Sequence, residues 1–145
     1  MLFRSYPMPA KDIFHDCFKA ALLKDGWQVT HDPYNLKVGK KDLFIDLGDK
    51  KLLAAEKGTQ KIAIEIKSFV SPSEIRDLEV ALGQYVLYQN VLARTEPERI
   101  LYLAIRESTF IKLFEQEIGQ MLLENQVLKL LVFNPETEEI ARWID

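Results

Sequence analysis

The chain has 145 residues, 48% of them hydrophobic and 28% charged, with a formal net charge of −3. That is enough apolar material for one domain with a real core, and the negative balance argues against a strong non-specific grip on DNA, which needs an excess of Lys and Arg. One cysteine and two histidines exclude a disulfide framework and a zinc finger. There is no long apolar run for a membrane span, and the opening MLFRSYPMPAK carries Arg4 and Pro7 where a signal segment would be apolar. A cytoplasmic protein without membrane contact is expected.

The charge is unevenly spread. From Lys37 to Lys67 eight lysines face five acids, whereas from Thr95 onward five basic residues face ten acidic ones. The basic half is either solvated charge or a mild preference for a phosphate-bearing partner.

The stretch MPAKDIFHDCFKAALLKDGWQV reads as a first helix, with Pro9 in its first turn, apolar residues from Ile13 to Leu22 at helical spacing, and Gly26 as its stop. WQVTHD and KDLFIDLG read as strands separated by a turn-like PYNLKVGK. KLLAAEK and KIAIEIKSF flank GTQ and predict an antiparallel hairpin. SPSEIRDLEVALGQYVLYQNVLART is the clearest helix, with Ser71 as N-cap, Pro72 at the first helical position and Glu74 closing a capping box. RILYLAI is an apolar strand, and STFIKLFEQEIGQMLLENQ is one helix or two short ones broken near Gly119. VLKLLVFN is the last core strand, and PETEE is a turn before IARWID. The order predicts an α/β fold, 1–145 as one unit, with a central mixed sheet and a helix on each face.

Chemistry concentrates in KIAIEIKSF. Ile62, Ile64 and Ile66 fall on one side of a strand, and Ala63, Glu65 and Lys67 on the other. Glu65 and Lys67 are about 7 Å apart along such a strand. A carboxylate can hold a hard divalent cation through oxygen, and the cation lowers the pKa of a bound water and neutralises phosphate charge. A neighbouring ammonium orients the water or stabilises the transition state. A further acid is needed. Asp46, at the end of an apolar strand before Gly48, and Asp49 are both candidates. If GTQ is the turn, Leu53 lies opposite Glu65; Asp49 then shares its face, Asp46 returns there through a bulge at Gly48, and Glu56 points away. By itself E-x-K is as well explained by a surface ion pair.

The order of elements around it resembles the PD-(D/E)xK restriction-endonuclease-like superfamily: an acid-bearing helix, an aspartate-bearing strand, E-x-K, then a helix. The Gln84–Tyr88 pair in QYVLY is similar to the Q-x-x-x-Y motif of RecB-type nucleases, and residues four apart share a helix face. More closely, PAKDIFHD, LLKDGWQVTHDPY, DLFIDLG, LLAAEKG, KIAIEIKSFVSPSEIRDLEVALGQYVLY and TEPERILYLAI together resemble the XisH family, the cyanobacterial fdxN-element excision controlling factors. The resemblance implies a nuclease-like fold and site-specific excision of a DNA element, a developmental DNA rearrangement, alongside an XisI-like factor and a recombinase. It implies catalytic roles for Asp46, Glu65 and Lys67, with Asp16 as the first-helix acid and Gln84 and Tyr88 as helix partners. Mg²⁺ or Mn²⁺ would be held by Glu65 with Asp46 or Asp49. No proline precedes Asp46, which departs from the superfamily pattern.

Two functions follow: a metal-dependent endodeoxyribonuclease, or a non-catalytic regulatory module that uses a nuclease scaffold to bind a partner such as XisI. Cys17 sits on the apolar face of the first helix and reads as core; nothing pairs His15 with His31 for a metal. Gln84 and Tyr88 read equally as site or as core. The long helix has one apolar face from Ile75 to Val86 and a second at Val80, Leu87, Val91 and Leu92, which fits a homodimer, a hetero-complex or a fully internal helix.

Overall fold

The computed structural model describes residues 13–42 and 52–145. Helix α1 (His15–Lys24) leads into β1 (Gln28–Tyr34) and the short strands β2 (Lys37–Val38) and β3 (Lys41–Asp42). Next come β4 (Leu52–Lys57), β5 (Gln60–Ile66), the long helix α2 (Glu74–Thr95) and β6 (Arg99–Arg106). A helical turn α3 (Glu107–Thr109) runs into a π-helical turn over Phe110–Phe114, and α4 (Glu117–Glu124), β7 (Leu130–Asn134) and β8 (Glu139–Ile144) complete the chain.

Six of the strands form one mixed sheet in the order β1-β4-β5-β6-β7-β8. The centre, β5-β6-β7, is parallel, and both sides close with antiparallel pairs. The parallel centre explains the near-continuous apolar runs of β5, β6 and β7, because helices cover both faces of such strands. On one face α2 packs Leu78, Ala81, Tyr85 and Tyr88 against Ala63, Leu101, Leu103 and Leu130. On the other, α1 packs Phe18 and Leu22 against Ile62, Ile64, Ile66 and Phe133. The mixed sheet with a helix on each face is as expected.

Several local expectations change. The β4–β5 turn contains two residues, Gly58 and Thr59, not three: Lys57 pairs with Gln60 and Leu52, not Leu53, lies opposite Glu65. Gly58 takes φ +63°, which a two-residue hairpin favours and glycine permits. The shift by one residue reverses the parity of β4, so Glu56 opposes Lys61 and shares Glu65's face. The argument that set Glu56 aside therefore fails.

The turn-like PYNLKVGK holds β2, which pairs antiparallel with β3. Helix α2 starts at Glu74 with Ser73 as its N-cap; the Ser73 hydroxyl accepts from the Arg76 amide at 3.1 Å. Ser71 instead stands before the cap, its amide donating to the Asp77 carboxylate at 3.2 Å. VLKLLVFN supplies the last buried strand, β7, and a further, largely exposed strand, β8, pairs with it beyond the turn. STFIKLFEQEIGQMLLENQ is broken into two helical segments near Gly119, at Glu115–Gln116, but Gly119 itself is not the break. It lies inside α4, packed so closely on the preceding turn that a Cβ would fall 2.2 Å from the Phe114 Cα.

Candidate functional site

Parity on β5 decides which side chains meet. Ala63 belongs to the α2-side core, and Glu65, two residues on, points the same way. Glu65 is only 4% exposed, so it is not half of a surface ion pair. Its charge reaches two hydroxyls on α2: burial first, and the Glu65 carboxylate second, push the Tyr88 phenol well above its ordinary value. Tyr85 is raised for the same two reasons, against a lowering hydrogen bond from the Lys129 backbone. Both hydroxyls therefore stay protonated at neutral pH and are donors toward their surroundings.

Tyr85 is fully spoken for. Its hydroxyl donates to the Leu101 carbonyl at 2.9 Å and accepts from the Lys129 amide at 3.0 Å, fixing α2 over β6 and the entry to β7. Tyr88 is buried at 3% exposure. Gln84 lies one turn before Tyr88, is half-buried, and has its Oε1 buried without a hydrogen-bond partner among the described residues. The Q-x-x-x-Y face of α2 thus looks toward the strand that carries Glu65.

Lys67 follows the last residue of β5 and stays in the ladder, its amide donating to the Ala104 carbonyl at 3.1 Å. It is half-buried. Asp16 is placed elsewhere: it is exposed on α1, and α1 packs on the face of the sheet opposite Glu65. Asp46 and Asp49 lie outside the described residues, and no group of three His, Cys, Asp or Glu able to hold a metal occurs among the described ones.

One residue at this end of the sheet had no role in the sequence reading. Arg106 ends β6 beside the E-x-K strand, donates from Nη2 to the Ser68 carbonyl at 2.7 Å and lies 4.5 Å from the centre of the Phe14 ring. The Phe14 contact puts its guanidinium on the α1 side of the sheet, the face opposite Glu65. The signal in the sequence was an arginine closing the apolar run RILYLAIR. Phe69, next in the loop after Lys67, is buried at φ +53°, an unusual conformation for an aromatic residue.

The two histidines do other work. His15 is buried and shares the Asp32 carboxylate with Lys19, each at 2.9 Å, tying α1 to β1. Cys17 packs against the α1-side core as expected.

These features define a mixed α/β protein whose parallel strands end in a buried carboxylate and a lysine, covered by one long helix. The chain belongs to the XisH family, whose model matches residues 8–141. It is similar to the crystal structure of an XisH family protein from Nostoc punctiforme PCC 73102, at 43% identity and a TM-score of 0.83, covering 92% of this chain and 100% of that one. It is equally similar to a fdxN element excision controlling factor protein from Anabaena variabilis, at 42% identity and a TM-score of 0.83, covering 93% and 100%. No curated protein matches. No helix among the described residues is long and apolar enough to cross a membrane.

Proposed function

We propose that this chain acts in the excision of a DNA element, as a Mg²⁺- or Mn²⁺-dependent hydrolase of DNA phosphodiesters with a restriction-endonuclease-like core. The observation that carries this reading is the burial of Glu65 against the Gln84–Tyr88 face of α2, with Lys67 two residues further along the same edge. A carboxylate is rarely enclosed this deeply without a cation or donors to meet it. The similar fdxN excision controlling factor supplies the biological setting.

Glu65 suits a hard divalent ion as an oxygen donor, and either Asp46 or Asp49 would complete the ligand set. Bound there, the ion would neutralise phosphate charge and acidify a water. Lys67 orients the attacking water and faces the developing negative charge. Tyr88, kept protonated, donates a hydrogen bond and does not act as a base. Gln84 offers an amide on the same helix face.

Cleavage of branched, single-stranded and duplex DNA with Mg²⁺ or Mn²⁺ tests the reading. Wild type should cut, and Glu65→Ala and Lys67→Ala should each lose at least about a hundredfold in rate, the scale of removing a positioned catalytic group. Equal residual activity in all three ends the catalytic claim.

A second reading, a scaffold for an XisI-like partner or a second copy beside the recombinase, is favoured by α2. Val80 and Leu87 on one flank and Ile75 and Val86 on the other are 37–48% exposed, whereas the helix buries only the face toward the sheet. Co-purification of a partner that Leu87→Lys abolishes would support it.

A further inference from the structure

A cleft of about 450 Å³ opens beside the β4–β5 turn. Lys61 at its rim and Glu65 are four residues apart on β5, roughly 13 Å along the strand. Its volume falls in the range of small-ligand sites, about 300–1,000 Å³.

Its floor is aromatic. The Trp143 ring lies 5.6 Å from that of Trp27 and meets Tyr102 edge-on at 5.0 Å. The polar handles of its two neighbours are already used within the wall. The Trp27 indole N–H donates to the Asp25 carboxylate at 3.1 Å, and the Tyr102 hydroxyl donates to the Asp145 carboxylate at 2.5 Å. The two rings are therefore held still, and Trp143, half-buried, lines the cleft beside them.

The rim mixes donors and acceptors. Lys57 donates to the Asp25 carbonyl at 2.7 Å and stands 5.8 Å from the Trp27 ring. Among the described residues Lys61 is held by a loose pair with Glu98, 3.9 Å apart with both side chains exposed. Gln60 adds an exposed amide.

We propose that this cleft binds a nucleobase together with its phosphate, the base stacked on Trp143 and the phosphate on Lys61 with Lys57. A single aromatic ring such as that of Trp143 takes a planar ring regardless of base identity. The edges of a base alternate donors and acceptors, as this rim does, whereas an aliphatic ligand would leave the rim groups unmatched. Exchanging Glu98 for a phosphate costs Lys61 little, because the existing pair is long and solvated. The carboxylates of Asp25, Glu98 and Asp145 oppose a dense run of phosphates, which points to one nucleotide unit and away from duplex. The unit is either a free nucleotide or one unstacked position in a single strand. The inference concerns binding and holds whether or not Glu65 supports hydrolysis.

Both tryptophans of the chain lie in this cleft, so tryptophan fluorescence, excited selectively over that of the five tyrosines, reports from there. The full chain is titrated with adenosine monophosphate, with adenosine, and with a short single-stranded oligonucleotide and its duplex. Saturable quenching by the monophosphate alone assigns a free nucleotide; quenching by the single strand alone assigns a strand; the duplex should not compete with either. Trp143→Leu should remove the saturable phase. Lys61→Ala, at an exposed side chain that folding does not need, should weaken the monophosphate several-fold and leave adenosine unchanged. Absence of saturable quenching by both monophosphate and single strand at millimolar concentration overturns the proposal. So does equal monophosphate affinity in wild type and Lys61→Ala.

Discussion

Replacing Tyr85 by Phe removes one oxygen atom and two hydrogen bonds from the middle of the molecule. Tyr85 is fully buried, so no water reaches the vacated position. The Leu101 carbonyl loses its donor and the Lys129 amide loses its acceptor. A stranded buried backbone group costs about 1–3 kcal/mol. The Lys129 bond is only partly buried and belongs at the low end of that range. The two together come to about 3 kcal/mol, a shift of roughly 9 °C in Tm at about 3 °C per kcal/mol for a domain of this size. Urea unfolding followed by far-UV circular dichroism measures it, with the m-value expected to stay constant because the surface exposed on unfolding is unchanged. A loss below about 0.5 kcal/mol, no more than a surface substitution gives, would refute the reasoning that this hydroxyl fastens α2 to the sheet.

Gly119→Ala should destabilise by about 3 kcal/mol or more, since the added Cβ meets the Phe114 Cα at 2.2 Å and the Leu113 carbonyl oxygen at 2.4 Å, both backbone atoms that cannot swing aside. Gly83→Ala, inside exposed helix with open space around the new methyl, should instead stabilise by up to about 1 kcal/mol; thermal unfolding of the pair checks both signs. Acid unfolding tests Asp32. Burial pushes its carboxyl up, but hydrogen bonds and charge from His15 and Lys19 outweigh this and hold it below 3.8. Because the folded value is the lower one, the stabilisation is present above the unfolded value and disappears as pH falls through the folded one. Asp32→Asn should flatten the loss of stability as pH falls below about 4, and equally steep curves for both proteins would sink the assignment.

The layered architecture was legible because the apolar runs of β5, β6 and β7 and the helical spacing between them point to strands covered on both faces. Details that turn on a single residue were not. Gly-Thr and Gly-Thr-Gln are both acceptable hairpin loops by composition, and only the pairing of Lys57 with Gln60 separates them. Ser71 followed by Pro72 satisfies the usual helix-start pattern, yet Ser73 has the side chain placed to accept from the Arg76 amide, and Asp77 occupies the Ser71 amide instead. Gly119 reads as a breaker in one dimension; its reason is the close approach of the Phe114 turn, which is a tertiary fact.

The same single-residue sensitivity governs the site. Alternation along KIAIEIKSF set Glu65 and Lys67 apart from the isoleucines, and that division holds, but alternation cannot say whether the polar side meets water or another layer. Here α2 covers it, so residues 62–66 are buried on both parities and a sequence that looks amphipathic belongs to a two-sided core strand. The consequence reaches the chemistry. On a solvated face, Glu65 and Lys67 would screen each other and contribute little. Beneath α2, the Glu65 carboxylate adds to burial in raising Tyr88 and Tyr85, as a charge little screened by water does. Of the helix pair Gln84–Tyr88, Tyr88 shares that electrostatic link to Glu65. Asp16 lies exposed on a helix that packs the far face.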